Sequence, residues 1–354
     1  MVEKKRIGIL TGGGDCPGLN AVIRAAVKTA RGYGWEVIGI RNGFDGLRRV
    51  DTLRLSRSKI KGILPVGGTI LGSTNQMDPF AVNLGGEVED QSDLVVENFH
   101  SEGLDALISV GGDGTQTIAW KFAQKGIPVI GVPKTIDNDV SATEVTFGFD
   151  TAVETATDAI DKLHPTAESH QRVMVVEVMG RTVGWIALHA GIAGGADAIL
   201  IPEIPFDIDK ICAAVERRYE IERNFAIIVV AEGAQPANDK LDEIHGEKTA
   251  MQTPLTARIT KYIAEKTGRS VRGMVLGHLQ RGGSPTTYDR VLGSRYGAAA
   301  VRLIRDGQFN KMVALRGGQI VAVDLHDAIA QLKVVDPACD TVQTARDLGI
   351  AFGD

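Results

Sequence analysis

The sequence predicts an α/β protein built on parallel sheets, and three observations carry that prediction. Short apolar runs near residues 6–11, 35–40, 104–110, 127–132, 173–178, 198–201, 225–231 and 273–277 alternate with helix-like segments, the order that lays strands side by side in parallel. Two of these runs end in a glycine-rich turn that opens a helical pattern. With 354 residues, 44% of them apolar and 23% charged, the chain is long enough for two domains and too apolar to be disordered. No Pro/Gly linker, tandem repeat or low-complexity run interrupts it.

The first run, Arg6-Ile7-Gly8-Ile9-Leu10-Thr11, is a short strand, followed by Gly12-Gly13-Gly14-Asp15-Cys16-Pro17-Gly18-Leu19-Asn20 and a helix pattern over 21–31. A dinucleotide fingerprint needs glycine where Pro17 stands, and a Walker A loop needs Gly-Lys-Ser/Thr, so this is a phosphate-loop candidate of another kind. Leu104-Asp105-Ala106-Leu107-Ile108-Ser109-Val110 leads into Gly111-Gly112-Asp113-Gly114-Thr115, and residues 115–124 have a helical composition. Backbone N–H groups in such a turn approach phosphate oxygens closely, and the helix dipole favours the anion there. Asp113 would repel phosphates unless Mg²⁺ lay between, and Mg²⁺ needs only one or two carboxylates besides substrate phosphates. Taken alone, the string reads equally as a tight turn with a helix cap.

Ile127-Pro128-Val129-Ile130-Gly131-Val132 is the next buried strand, so Pro133-Lys134-Thr135-Ile136-Asp137-Asn138-Asp139 emerges at a strand's carboxyl end, where open α/β sheets place ligands. Asp137 there can accept a proton from a substrate hydroxyl while Lys134 and Thr135 hold phosphate oxygens. The alternative is a polar turn made by Asp-Asn-Asp. Glu232 follows the run 225–231 and sits at another strand end, and Arg181 and Arg281 are embedded in apolar, glycine-rich strings. Arginine forks suit a phosphate monoester because planar donors meet two oxygens at once. Residues 78–92 and 235–248 read as polar surface insertions.

A net charge of −5 without a basic tract argues against nucleic acid as a partner. Cys16, Cys212 and Cys339 are too few and too far apart for a disulfide framework or a Cys-x-x-Cys metal site, which points to the cytoplasm. Residues 1–6 are charged and show no signal-peptide pattern. The longest apolar stretch, 185–201, contains His189, glycines and Asp197, so no membrane span is expected.

These strings, in this order, resemble the phosphofructokinase family. Ser169-His170-Gln171-Arg172, Val176-Glu177-Val178-Met179-Gly180-Arg181, Ala193-Gly194-Gly195-Ala196 and Gly277-His278-Leu279-Gln280-Arg281-Gly282-Gly283-Ser284-Pro285 also occur in family order, so the resemblance spans most of the chain. It implies an enzyme of glycolysis that phosphorylates the 1-hydroxyl of fructose 6-phosphate. It also implies two domains, each a mainly parallel sheet sandwiched between helices, with the active site in the cleft between them. A phosphoryl-donor domain would take residues 1–148 and 282–330, and a sugar-phosphate domain 149–281 and 331–354.

Carried over residue by residue, Gly13, Gly14, Asn75, Gly112, Asp113, Gly114 and Thr115 would hold the donor, with Asp113 placing Mg²⁺. Asp137 matches the proton acceptor, flanked by Thr135 and Asp139. The sugar phosphate should meet Met179, Gly180, Arg181, Glu232, His278 and Arg281. Arg172 and Arg272 match positions that reach the 6-phosphate from a neighbouring subunit, implying a homodimer or homotetramer.

The resemblance is mixed at the donor. Glycine at position 114 accompanies ATP use, whereas lysine at position 134 accompanies pyrophosphate use. A missing carboxylate at 114 opens room for ATP, while an added cation at 134 does not block a polyphosphate, so ATP is the expected donor. Asn75 stands where many relatives have arginine, and Lys134 is expected to supply that charge. The alternatives are a pyrophosphate-dependent enzyme and a non-catalytic sugar-phosphate or nucleotide sensor. Diacylglycerol and NAD kinases share the Gly-Gly-Asp-Gly-Thr string but leave the arginine-bearing strings after residue 169 unexplained.

Overall fold

The computed structural model describes residues 4–75, 77–220, 224–243 and 253–354. Its strands in chain order are β1 (Arg6–Thr11), β2 (Glu36–Ile40), β3 (Thr52–Arg54), β4 (Val82–Leu84), β5 (Glu87–Glu89), β6 (Ala106–Gly111), β7 (Val129–Pro133), β8 (Val173–Val178), β9 (Ala198–Leu200), β10 (Ala226–Ala231), β11 (Val271–Val275), β12 (Lys311–Arg316) and β13 (Gln319–Asp324). The chain divides into two compact units, Met1–Thr151 with Arg281–Lys333 and Ala152–Gln280 with Val334–Asp354.

The first unit holds a sheet ordered β13-β12-β7-β6-β1-β2-β3. Its inner pairs are parallel, and the edge pairs β12–β13 and β2–β3 are antiparallel. From β1 the chain goes to β2 on one side and later returns to β6 on the other, so the strand order reverses beside β1. In an open α/β sheet the carboxyl ends of strands at such a reversal leave a crevice. The glycine turns after β1 and β6 both lie there.

The helix Asp113–Gln124 shows how the sequence fixes its own packing. Gly112 caps it in an extended conformation, Asp113 puts an acid in the first turn, and Thr115, Gln116, Ala119, Phe122 and Ala123 form one buried face at helical spacing. Phe122 stacks on Phe44 at 5.1 Å and meets Phe80 at 4.9 Å, in a core shared with Leu10, Ile38, Leu107, Val129 and Met312. The helix Leu19–Gly32 lies along Thr287–Arg305. That approach needs glycine, because a β-carbon on Gly297 would stand 2.4 Å from the Val22 carbonyl oxygen.

The second unit holds a parallel sheet ordered β11-β8-β10-β9, with β11 at its edge. Val173, Val175, Ile228 and Val230 pack there against Phe206, Ile211, Ile259 and Ile263.

The mainly parallel α/β architecture agrees with the sequence expectation, and the differences are local. The run expected as a strand over 273–277 is β11 from Val271 to Val275, followed by a 3₁₀ turn, Gly277–Arg281. No strand was expected over 311–324, where the structure has the β12–β13 hairpin joined by Gly317 and Gly318, both at positive φ. The insertion at 78–92 contains the β4–β5 hairpin. The insertion at 235–248 includes a short helix, Lys240–Glu243, and its residues 244–248 lie outside the described residues. The apolar stretch 185–201 divides into the helix Trp185–Ala193 and β9. Among the described residues no helix is long and apolar enough to cross a membrane.

Candidate functional site

The two glycine turns of the first unit are built around one side chain. Thr115 sits against both: a β-carbon on Gly12 would stand 2.8 Å from its Cγ2, and one on Gly111 only 2.3 Å from its Cβ. Gly12 N–H donates to the Val110 carbonyl at 2.9 Å and Gly13 N–H to the Thr74 carbonyl at 3.0 Å, which ties the first turn to β6 and to the segment ending at the exposed Asn75. A β-carbon on Gly14 would meet Nη1 of Arg281 at 2.7 Å, and that nitrogen donates to the Asp15 carbonyl at 3.0 Å.

Asp113 opens the helix directly after the second turn, and Gly114 is exposed, with nothing within 4 Å of where a β-carbon would stand. A helix N-terminus lined by close-approaching backbone can receive a phosphate. Among the described residues no group of three or more His, Cys, Asp or Glu side chains could cage a metal. One carboxylate at a helix N-terminus of this kind nevertheless fits Mg²⁺, which takes most of its ligands from water and substrate phosphates.

The segment after β7 joins the same crevice. Lys134 N–H donates to the Gly111 carbonyl at 3.0 Å, and Lys134 Nζ donates to the carbonyl of Gly14. Lys134, Thr135, Asp137, Asn138 and Asp139 are all buried, five polar residues in six positions. Burial pushes the Lys134 ammonium below the usual lysine range; nearby Arg281 acts in the same direction, and Asp137 and Asp15 oppose it. Asp137 N–H donates to Thr135 Oγ1 at 3.0 Å, so that hydroxyl shapes the turn that presents the carboxylate. Asn138 adopts a left-handed conformation with φ 55°, and its Oδ1 accepts from Thr146 N–H at 3.1 Å. Thr146 Oγ1 donates to the Thr135 carbonyl at 2.8 Å.

In the second unit, Glu232 follows β10, and its Oε1 accepts from Arg181 N–H at 2.7 Å and Gly180 N–H at 3.3 Å. Arg181 holds φ 54°, an uncommon conformation for a residue with a long side chain and one that functional sites tend to retain. Met179 N–H donates to Gln280 Oε1 at 3.3 Å, which links this turn to the 3₁₀ segment carrying the exposed His278. Met179, Gly180, Arg181 and Glu232 are therefore brought together, with His278 one turn away.

Arg172 and Arg272 are not part of that group. Arg172 immediately precedes β8 and Arg272 lies near the start of the edge strand β11, paired in register with Met174. Met179 follows the other end of β8, and a six-residue strand spans roughly 20 Å. The Arg281 guanidinium contacts Gly14 and Asp15 within the first unit.

One supporting residue escaped the sequence reading. Gln116 is fully buried, and its Nε2 donates to the Gly111 carbonyl at 3.0 Å and the Val132 carbonyl at 2.9 Å, stapling the carboxyl ends of β6 and β7. The only sequence signal was a glutamine on the apolar face of the helix.

The phosphofructokinase family model matches residues 6–304. The ATP-dependent 6-phosphofructokinase of Chloroflexus aurantiacus is 53% identical over 359 residues, covering 99% of both chains. A pyrophosphate--fructose 6-phosphate 1-phosphotransferase of Amycolatopsis mediterranei is 51% identical over 336 residues, covering 93% of this chain and 96% of the relative. Among solved structures, Pichia pastoris phosphofructokinase in the T-state superposes with a TM-score of 0.82 at 31% identity, over 98% of this chain and 36% of the longer yeast chain.

Proposed function

Because the chain belongs to the phosphofructokinase family, we propose that it transfers the γ-phosphoryl group of ATP to the 1-hydroxyl of fructose 6-phosphate, with Asp137 as general base. The observation that carries this reading is the buried Lys134–Asp139 segment, bonded to the Gly111 and Gly14 carbonyls at the carboxyl end of a parallel strand. Burying two carboxylates and an ammonium without purpose is unfavourable, whereas phosphoryl transfer needs a proton acceptor and positive charge at one place.

On this reading the first unit binds the donor through Gly13, Gly14, Asn75 and the Gly112-Asp113-Gly114-Thr115 turn. Asp137 takes the proton of the attacking hydroxyl, and Thr135 fixes its turn. Lys134 and Arg181 stabilise charge on the transferring group. Asp113 would hold Mg²⁺ together with substrate phosphates, and the ion would supply further charge neutralisation when bound. Met179, Gly180, Glu232 and His278, with Asp139 and Arg281, hold the sugar phosphate. Glu232 is already fixed by two backbone N–H groups, so its role includes shaping the Gly180-Arg181 turn.

Arg272 lies on the edge strand β11 and Arg172 just before β8, at the end of the sheet opposite that turn, which supports their serving a neighbouring subunit in a homodimer or homotetramer. Three free cysteines, two of them buried, fit a reducing cytoplasm.

Pyrophosphate as donor is the second reading, favoured by Lys134 and by the Amycolatopsis mediterranei relative's name. Product formation from fructose 6-phosphate and Mg²⁺, with ATP and pyrophosphate compared at equal concentration, decides between them. Turnover with ATP alone supports the first reading, and turnover with pyrophosphate alone replaces it. A non-catalytic sensor would bind both ligands without turnover, and Asp137→Asn would then change nothing measurable.

A further inference from the structure

Lys333 is the last residue of the first unit, 195 positions from Asn138, yet it closes the loop that presents Asp137. Its Nζ donates to Asn138 Oδ1 at 2.7 Å, to the Glu144 carbonyl at 2.7 Å and to the Thr143 carbonyl at 3.1 Å. Its backbone N–H donates to the Asp139 carbonyl at 2.9 Å, and Leu332 makes an antiparallel bridge with Val140. One side chain therefore satisfies both ends of the 138–144 excursion. It bonds Asn138, the residue directly after Asp137, which holds a left-handed φ of 55°.

We propose that Lys333 is a positioning residue for the general base: its ammonium locks Asn138 and the 143–144 carbonyls so that Asp137 is held for proton transfer. The inference rests on reading Asp137 as that base. A neutral amine keeps fewer donors for three acceptors, so the lock depends on the ammonium. A misplacement of about 1 Å at a reacting group can lower turnover by about 10²-fold.

The charged groups facing the ammonium are Asp139 and Glu144, and both favour its proton. Burial outweighs them and pushes the Lys333 pKa down to about 8. The Glu144 carboxylate is itself engaged by Gly317 N–H at 2.6 Å. Turnover is therefore expected to fall as pH rises through about 8.

The test compares Lys333→Met, Lys333→Arg and Asp137→Asn with the native enzyme, recording kcat and KM from pH 6 to 10. Lys333→Met should lower kcat by about 10²-fold with KM for either substrate within about threefold. Lys333→Arg, which stays charged, should recover most of that loss and abolish the alkaline limb. Native-like kcat in Lys333→Met would overturn the proposal. So would an unchanged alkaline limb in Lys333→Arg, which would assign the limb to another group such as Lys134. If Lys333→Met fails to fold by circular dichroism, the Lys333→Arg profile decides alone. Asp137→Asn separates the two readings: its full activity would remove the base itself, whereas its collapse beside a native-like Lys333→Met removes only the role of Lys333.

Discussion

The Arg281 guanidinium covers Gly14, with Nη1 placed 2.7 Å from where a β-carbon would stand, while the Gly14 carbonyl accepts from Lys134 Nζ. One glycine thus gathers two cations on the first phosphate-loop candidate. Gly14→Ala should displace only the far end of a flexible arginine and its bond to the Asp15 carbonyl, so the fold should survive while kcat/KM for the donor drops at least about tenfold, roughly 1.4 kcal/mol. Gly111→Ala is different in kind. Its β-carbon would meet Thr115 Cβ at 2.3 Å, an atom fixed close to the backbone. Overpacking of that sort should remove about 1–3 kcal/mol of stability. Thermal denaturation of both variants checks the contrast, and equal losses of stability would contradict it.

Gly114 is the position at which donor choice is most open to manipulation. It is exposed and has nothing within 4 Å of a potential β-carbon, so Gly114→Asp meets no steric obstacle. The new carboxylate sits in the first turn of a helix, where negative charge is favourable by about 0.3–1 kcal/mol. Stability should therefore be unchanged or slightly higher. ATP turnover should fall by about tenfold or more through charge repulsion with the nucleotide phosphates, while any pyrophosphate turnover is retained. Steady-state kinetics with both donors measures this, and undiminished use of ATP would show that the space beside Gly114 is not where the nucleotide lies.

The elements that carry these arguments differ in how visible they are in sequence. Apolar runs stopped by glycine, such as 104–110 before Gly111, announce a strand and the turn after it, because burial and turn geometry are both local demands. The β12–β13 hairpin left a comparable trace, two apolar runs joined by Gly317-Gly318, but it departs from the βαβ alternation that organises the rest. Gln116 and Lys333 left no such trace. Each acts through carbonyls distant in sequence, Val132 for Gln116 and Glu144 for Lys333, and only the assembled sheet brings donor and acceptor together. Arg181 and Asp137 were recognisable as residue types in informative strings, whereas the left-handed conformations at Arg181 and Asn138 were not.

Lys134 ties stability to function in opposite directions. Burial lowers its pKa below the ordinary lysine value of 10.5, so the unfolded chain binds more protons than the folded one between the depressed pKa and 10.5. The native protein should therefore gain stability, relative to Lys134→Met, as pH rises through that window. Burying the lysine head group in its charged form is a liability, and Lys134→Met should be no less stable than native. Turnover should nonetheless fall by about 10²–10³-fold, the scale expected for removing a preorganised charge from a developing anion. Urea unfolding across pH, together with single-turnover assays, tests both halves. A variant that is fully active would mean that Lys134 does not supply the charge missing at Asn75.

Asp289 gives a second pH signature with the opposite sign. It is fully buried at the start of the helix Thr287–Arg305 and accepts from Gly148 N–H at 2.9 Å, Thr151 N–H at 2.9 Å and Thr151 Oγ1 at 2.6 Å. These donors favour the carboxylate, but desolvation dominates and raises its pKa from 3.8 to about 6. The folded state then binds more protons than the unfolded state between those values, so the contribution of Asp289 to stability is complete below pH 3.8 and is lost as pH rises through about 6. Asp289→Ala orphans two backbone N–H groups and a hydroxyl, at about 1–3 kcal/mol for each buried donor left unpaired. The gap in unfolding free energy between native and Asp289→Ala should therefore be widest near pH 4 and narrower at pH 7. Chemical denaturation at those two pH values reads the difference directly. A gap that widens with pH would mean that the three donors outweigh burial and that Asp289 is held as a low-pKa anion.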